Sequence, residues 1–263
     1  MDIQTQQYQV PFGTFCLYAH SWQVADANLE LAPIILLHDS LGSVALWRDF
    51  PAQLAKLTKR KVYAYDRLGF GHSDACTSLP ALDFVLNEAQ QAFQAVVAYF
   101  QFTQFVVLGH SVGGAMSFAI AAQEPQCCMG LVSIAAQFEV EEQTLQGIRE
   151  AKKGFQQAGQ LERLDKYHPQ KAQWVLDAWT ETWLAPEFKH WNLATVLPKV
   201  SCPSLIIHGE LDEYGSIKQA QQLFDGVDGH AEMHILEGLH HLPHKEQPEL
   251  VLHIIQEFLS ELF

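Results

Sequence analysis

The chain has no run approaching the roughly 18–20 consecutive apolar residues that a membrane span requires. It is short of positive charge: 16 Lys and Arg against 30 Asp and Glu leave a formal net charge of −14. A surface so acidic repels phosphate backbones and anionic headgroups, so neither nucleic acid nor an anionic membrane is expected as a partner. The five cysteines (Cys16, Cys76, Cys127, Cys128 and Cys202) are odd in number and show no CxxC spacing. Free thiols in a reducing cytoplasm are the expected state. The opening MDIQTQQYQV lacks the basic start and apolar stretch of a signal peptide, so a cytoplasmic location is expected. Low-complexity segments and internal repeats are also missing.

What is present is apolar substance. Of 263 residues, 48% are hydrophobic, enough for one large domain or a domain with an insertion. From about residue 33, short apolar runs alternate with helical patterns. PIILLH (33–38), KVYAYD (61–66), QFVVLG (104–109), MGLVSI (129–134) and SLIIH (204–208) read as strands buried on both faces. AEMHIL (231–236) adds a last strand, and residues 8–10 and 14–19 an N-terminal hairpin around Gly13. Leu82, Leu86, Ala89, Phe93, Val96 and Phe100 recur at helical spacing, with Pro80 near the helix start. Leu250, Ile254 and Phe258 mark one face of a final helix that has Pro248 near its first turn. This alternation predicts an α/β fold: a mainly parallel central sheet flanked by helices.

Alternation stops over residues 137–199. The pattern there predicts helices over 141–158, 161–167 and 170–183, and the segment holds four of the six tryptophans: Trp174, Trp179, Trp183 and Trp191. It reads as a helical cap inserted into a core made of residues 1–136 and 200–263, covering the carboxyl edge of the sheet. Most of these tryptophans are expected to pack the insertion onto the body, with one or two facing a pocket.

The strand ending at Leu108 runs into Gly109-His-Ser-Val-Gly-Gly114, followed by a helical pattern from Ala115. A bare GxSxG is a weak signal, but between a buried strand and a helix it reads as a nucleophile elbow carrying Ser111. A glycine-rich turn with an incidental serine is the plain alternative. A serine hydroxyl needs a base to take its proton, and the oxyanion it creates needs donors. The N–H of Val112, at the helix start, is one candidate. HDSLGS (38–43) follows the third strand and offers the second, from Ser40 or, with the loop shifted by one, from Leu41.

In this order of motifs the chain resembles the α/β-hydrolase superfamily. The resemblance rests on HDSLGS, DRLGFGHSD (66–74), GHSVGG, a helical cap, HGELDEY (208–214) and a histidine segment, and spans residues 10 to 263. It implies the α/β-hydrolase fold with a Ser–acid–His order. It places the acid at Asp212, with Glu210 and Glu213 as rivals, and treats Asp66 as structural. Relatives read roughly Gly-x-Gly-His-x-x-His-x-Glu in the last segment, which makes His241 the base, ahead of His240. That leaves His240 where a glycine is usual, and His244 expected to hydrogen-bond near the start of the last helix. Relatives also carry glycine after the loop histidine, where this chain has Asp39.

The crowding of His240, His241 and His244 also raises a metal site. Their spacing is not that of HExxH on a helix, and no metal or cofactor is expected. The expected chemistry is hydrolysis of a small carboxylic ester or lactone through an acyl-enzyme on Ser111, with that small molecule as the partner. The loop is similar to that of 3-oxoadipate enol-lactonases, and the cap to valacyclovir-hydrolase-like esterases, though Val112 stands where the latter hold an acid. C–C bond hydrolysis of the meta-cleavage type and a non-catalytic ligand-binding role remain alternatives. Leu41, Trp47 and Phe138 are expected to line the substrate pocket. The oligomeric state is not legible.

Overall fold

The computed structural model describes residues 2–262. The strands are β1 (Ile3–Phe12), β2 (Phe15–Val24), β3 (Ile34–Leu37), β4 (Val62–Tyr65), β5 (Phe105–His110), β6 (Cys128–Ile134), β7 (Ser204–Gly209) and β8 (Ala231–Leu236). They form one eight-stranded sheet in the order β1-β2-β4-β3-β5-β6-β7-β8. Pairing is antiparallel for β1–β2 and β2–β4 and parallel from β4 through β8. The N-terminal hairpin is longer than the apolar pattern suggested, because Ile3–Gln9 pair along an edge of mostly polar side chains.

Every residue of β3, β4, β5 and β7 is buried, which is why these segments read as unbroken apolar runs. Alternate residues serve opposite layers. Ile35, Leu37, Val107, Leu131 and Ile206 face the helices around Val112–Gln123, while Ile34, Leu36, Val106, Leu108 and Leu205 face helices Phe50–Thr58 and Pro248–Glu261. Helix Val112–Gln123 is buried from Val112 through Ala121, so it shows no polar face.

Two helical expectations need correction. Leu82 and Leu86 are exposed; the buried side of this element carries Val85, Ala89, Ala92, Phe93 and Val96. The helix starts at Phe84 and passes through a π turn, Glu88–Ala92, which inserts extra chain and rotates the apolar face. Leu250 is also exposed; the last helix buries Ile254 and Phe258, as the pattern had them, together with Val251 and Ile255.

Between β6 and β7 lie helices Glu142–Gly154, Gln160–Asp165 and Ala172–Leu184. They come close to the predicted spans, ending or starting within a few residues of them. All five cysteines carry free thiols. Among the described residues, no helix is long and apolar enough to cross a membrane.

Candidate active site

Strand β5 delivers Ser111 onto a sharp turn at φ +56°, ψ −126°, in the left-handed region that L-residues avoid. Two glycines make that turn possible. A Cβ on Gly109 would lie 2.0 Å from the Gly113 carbonyl oxygen, and one on Gly113 would lie 2.2 Å from the Leu37 carbonyl oxygen. The turn projects Oγ out of the sheet and starts helix Val112–Gln123 directly beneath it. The Val112 N–H belongs to the first helical residue and so precedes the intrahelical bonds.

Asp212 stands just past β7, with one carboxylate oxygen accepting the Tyr214 N–H at 2.8 Å. His241 follows β8, and its Nδ1 lies 2.8 and 2.9 Å from the two Asp212 oxygens. Its Nε2 lies 3.0 Å from Ser111 Oγ. All three residues are buried. Burial opposes the charge on Asp212, but the His241 hydrogen bonds and the nearby His241 and His208 rings hold its carboxyl below the usual carboxylate range. The carboxylate therefore fixes the tautomer that leaves Nε2 free to accept the serine proton.

The rival acids have other tasks. Glu210 accepts the Gly238 N–H, and Glu213 accepts the backbone N–H of His241 at 3.2 Å. Asp66 is buried and receives the N–H groups of Val44 and His72, a loop-organising part. Of the two oxyanion candidates on HDSLGS, Leu41 already donates its N–H to Asp39 Oδ1 at 2.9 Å. The Ser40 N–H makes no hydrogen bond among the described residues, and Ser40 lines the cavity above Ser111. Asp39, in the place where relatives have glycine, also faces the Nδ1 of His110 at 3.2 Å. His110 in turn donates from Nε2 to the His241 carbonyl at 2.8 Å, so the ring next to Ser111 ties the loop 38–43 to His241.

The three crowded histidines part company. His240 is exposed and bonds Glu246 through both its N–H and Nδ1. His244 is buried against Trp47, Phe50 and His110, and its Nδ1 has no hydrogen-bond partner among the described residues. It does not cap the last helix, because it lies on a separate short turn of helix, Pro243–Glu246. No group of three or more His, Cys, Asp or Glu able to hold a metal ion occurs among the described residues.

A cavity of about 180 Å³ opens above Ser111. Leu41 lines it. Trp47 does not: it stacks on Phe50 in the core below the loop. Phe138 does not either; it packs against the core, and its N–H donates to Gln219 Oε1 at 2.6 Å. The apolar wall comes instead from Ile148, Trp179, Trp183 and Leu242. Tyr214 and Gln137 add polar groups. Burial first, then neighbouring Glu213 and Asp212, push the Tyr214 hydroxyl up to about 12, so it stays an O–H donor. Gln137 Nε2 lies 3.5 Å from Ser111 Oγ, and its Oε1 is buried without a partner among the described residues. Gln137 follows the carboxyl end of β6, the sheet edge where α/β ligands gather, and that position was its one signal in the sequence.

The segment after β6 also grips the loop that carries Asp212. Gln143 Nε2 donates to the Asp212 carbonyl, Thr144 Oγ1 to the Tyr214 carbonyl, and Ser216 bonds Glu141 through both N–H and Oγ.

A family model described as the alpha/beta hydrolase family matches residues 34–254. Serine hydrolase BPHL of Mus musculus is 31% identical over 86% of this chain and 79% of its own length. Proline iminopeptidase of Heyndrickxia coagulans is 24% identical over 92% of this chain and 95% of its own. Among solved structures, 2-hydroxy-6-oxo-6-phenylhexa-2,4-dienoate hydrolase from Rhodococcus sp. strain RHA1 superposes with a TM-score of 0.77. At 18% identity over 98% of this chain and 100% of that one, it is a likeness of fold.

Proposed function

Since this chain belongs to the α/β-hydrolase family, we propose that it is a serine hydrolase that cleaves a small carboxylic ester or lactone. The observation that carries the reading is the unbroken line from the Asp212 carboxylate through His241 to Ser111 Oγ, with contacts of 2.8 and 3.0 Å.

In this mechanism His241 Nε2 takes the Ser111 proton as Oγ attacks the substrate carbonyl carbon. Asp212 stabilises the imidazolium that results. The carbonyl oxygen becomes an oxyanion held by the N–H groups of Val112 and Ser40, which need not reorient as the charge develops. Collapse expels the alcohol, protonated by His241, and leaves an ester on Ser111. Water, deprotonated by the same nitrogen, then releases the acid.

Residues 137–199 act as a cap in this reading: Ile148, Trp179 and Trp183 close the acyl cavity, and Gln137 meets a polar substrate atom beside Oγ. Asp39 and Glu213 line the cavity while no Lys or Arg does so among the described residues. An uncharged substrate suits that lining better than an anionic one. The cavity volume favours a short acyl group.

The test is labelling by a fluorophosphonate together with turnover of a panel of esters, lactones and thioesters. Labelling is expected in the wild type and absent in Ser111→Ala. A wild type that neither labels nor turns over any member of the panel overturns the hydrolase reading.

A further inference from the structure

A second cavity, about 340 Å³, lies apart from Ser111 and shares no lining residue with the first. Much of its wall is apolar, with Phe12, Leu68, Phe70, Phe84 and Trp174. Two charged side chains interrupt them, Arg67 and Glu88.

The Arg67 guanidinium is 5% exposed and lies over the Phe70 ring at 4.2 Å. Its Nη2 donates to the Asp39 carbonyl at 2.9 Å, but its Nε has no hydrogen-bond partner, and no carboxylate pairs with it among the described residues. Burial disfavours its charge, which the nearby carboxylates of Glu88, Asp39 and Asp66 support without bonding to it, and a planar fork of donors is best met by a carboxylate. Glu88 comes from the π turn, a feature that recurs at functional sites. It accepts the Tyr65 hydroxyl at 2.6 Å on Oε1, while Oε2 takes no donor among the described residues. The cavity thus presents an unmet donor, an unmet acceptor and an aromatic lining.

We propose that this cavity is a second binding site, taking a small apolar carboxylic acid that carries a hydroxyl or amino group beside its carboxylate. The carboxylate meets Arg67, the neighbouring donor meets Glu88, and the apolar body lies among Phe70, Phe84 and Trp174. A carboxylate alone would set two anions against one cation, so the added donor is part of the fit. Nothing in this assignment depends on Ser111 chemistry.

Isothermal titration calorimetry of the full chain tests it with 3-phenyllactate, phenylalanine, 3-phenylpropionate and 2-phenylethanol. Phenyllactate or phenylalanine is expected to bind one to one, and whichever binds more tightly identifies the hydroxyl or the ammonium as the second contact. Phenylpropionate, which leaves Glu88 unmet, is expected to bind about tenfold more weakly, and phenylethanol more weakly still. Replacing Arg67 risks the loop that it holds through Asp39, so Gln91→Trp, at the exposed rim, is the cleaner variant. It is expected to abolish binding with an unchanged melting temperature, while Leu242→Trp, at the rim of the Ser111 cavity, leaves binding intact. Binding lost in Leu242→Trp and kept in Gln91→Trp, equal binding of phenylethanol, or no binding of any probe at millimolar concentration would each overturn the proposal.

Discussion

His168 donates from Nε2 to the carbonyl of Leu41 at 2.9 Å, joining the segment between β6 and β7 to the loop that carries Ser40. The same ring accepts the Gly71 N–H on Nδ1 at 2.8 Å. One nitrogen gives and the other receives, so the ring is neutral in the folded chain. Burial, helped by the Lys171 and Arg67 charges, lowers its pKa to about 4. The unfolded value is 6.5, so below that pH the unfolded chain takes up a proton that the folded chain refuses. This contribution is whole above pH 6.5 and is lost as pH falls towards 4. It amounts to about 3 kcal/mol over that window, from about 1.4 kcal/mol per pKa unit. His168→Gln removes the titration. Urea unfolding at a series of pH values is therefore expected to show the wild type's margin over this variant shrinking by about 3 kcal/mol from neutral pH to pH 4. A margin that stays constant would show that the ring is not neutral and buried as described.

The order of losses along the Asp212–His241–Ser111 line follows from the roles proposed. Ser111→Ala and His241→Ala each remove a group in direct contact with the reacting atoms, and each is expected to lower kcat by about 10⁴-fold or more. Asp212→Asn keeps the shape but can present an N–H to Nδ1, favouring the wrong tautomer, at a cost of roughly 10⁴-fold. Near-ultraviolet circular dichroism should match the wild type for all three. A fully active Asp212→Asn would move the acid to Glu210 or Glu213, both of which already have backbone partners.

Much of this arrangement was legible in the residues, for a physical reason. A strand buried on both faces, such as β5, must be apolar throughout, and a serine at φ +56° must have small neighbours, so the stretch 105–114 displays both. Leu86 misled because a π turn, which has no periodicity of its own, rotates the face that Leu86 would share with Phe93. Trp47 misled for another reason. Proximity to the oxyanion loop in sequence does not say on which side of the loop a ring falls, and here it falls against Phe50 and His244. The cavity wall was hardest to foresee: Ile148, Trp183, Gln137 and Tyr214 come from separate elements, and only their packing brings them together.

His240, in the place where relatives have glycine, was open to two readings, strain or tolerance. Its backbone is not among the positive-φ residues, and its side chain is exposed and paired with Glu246. No conformation here demands glycine. His240→Ala keeps the backbone N–H that reaches Glu246 and loses only an exposed side-chain contact to Glu246, which contributes about 0.5 kcal/mol or less. Its kcat/KM should therefore stay within about twofold of the wild type. A collapse of activity matching that of His241→Ala would reverse the assignment of the base.

Gly209 tests the link between His241 and Asp212 without touching either. It ends β7, and a Cβ there would sit 2.2 Å from the His240 carbonyl oxygen and 2.5 Å from that of Leu239. The two backbones are already stitched together, with Leu211 donating to Leu239 and Glu210 to Leu236. Gly209→Ala must therefore push the loop 236–241 outward, and His241 moves with it, away from both Asp212 and Ser111. The walls of the Ser111 cavity come mainly from other elements, so substrate binding is largely spared. The expected outcome is a kcat lowered roughly 100-fold, as displacements of about 1 Å can cost, with KM nearly unchanged. Overpacking should also lower stability by about 1–3 kcal/mol. Steady-state kinetics beside a thermal melt separate the two effects, since loss of folded protein lowers the active fraction without changing the kcat of what remains when rates are referred to titrated active sites. A Gly209→Ala protein with wild-type kcat per active site would mean that the loop can yield without carrying His241 out of line.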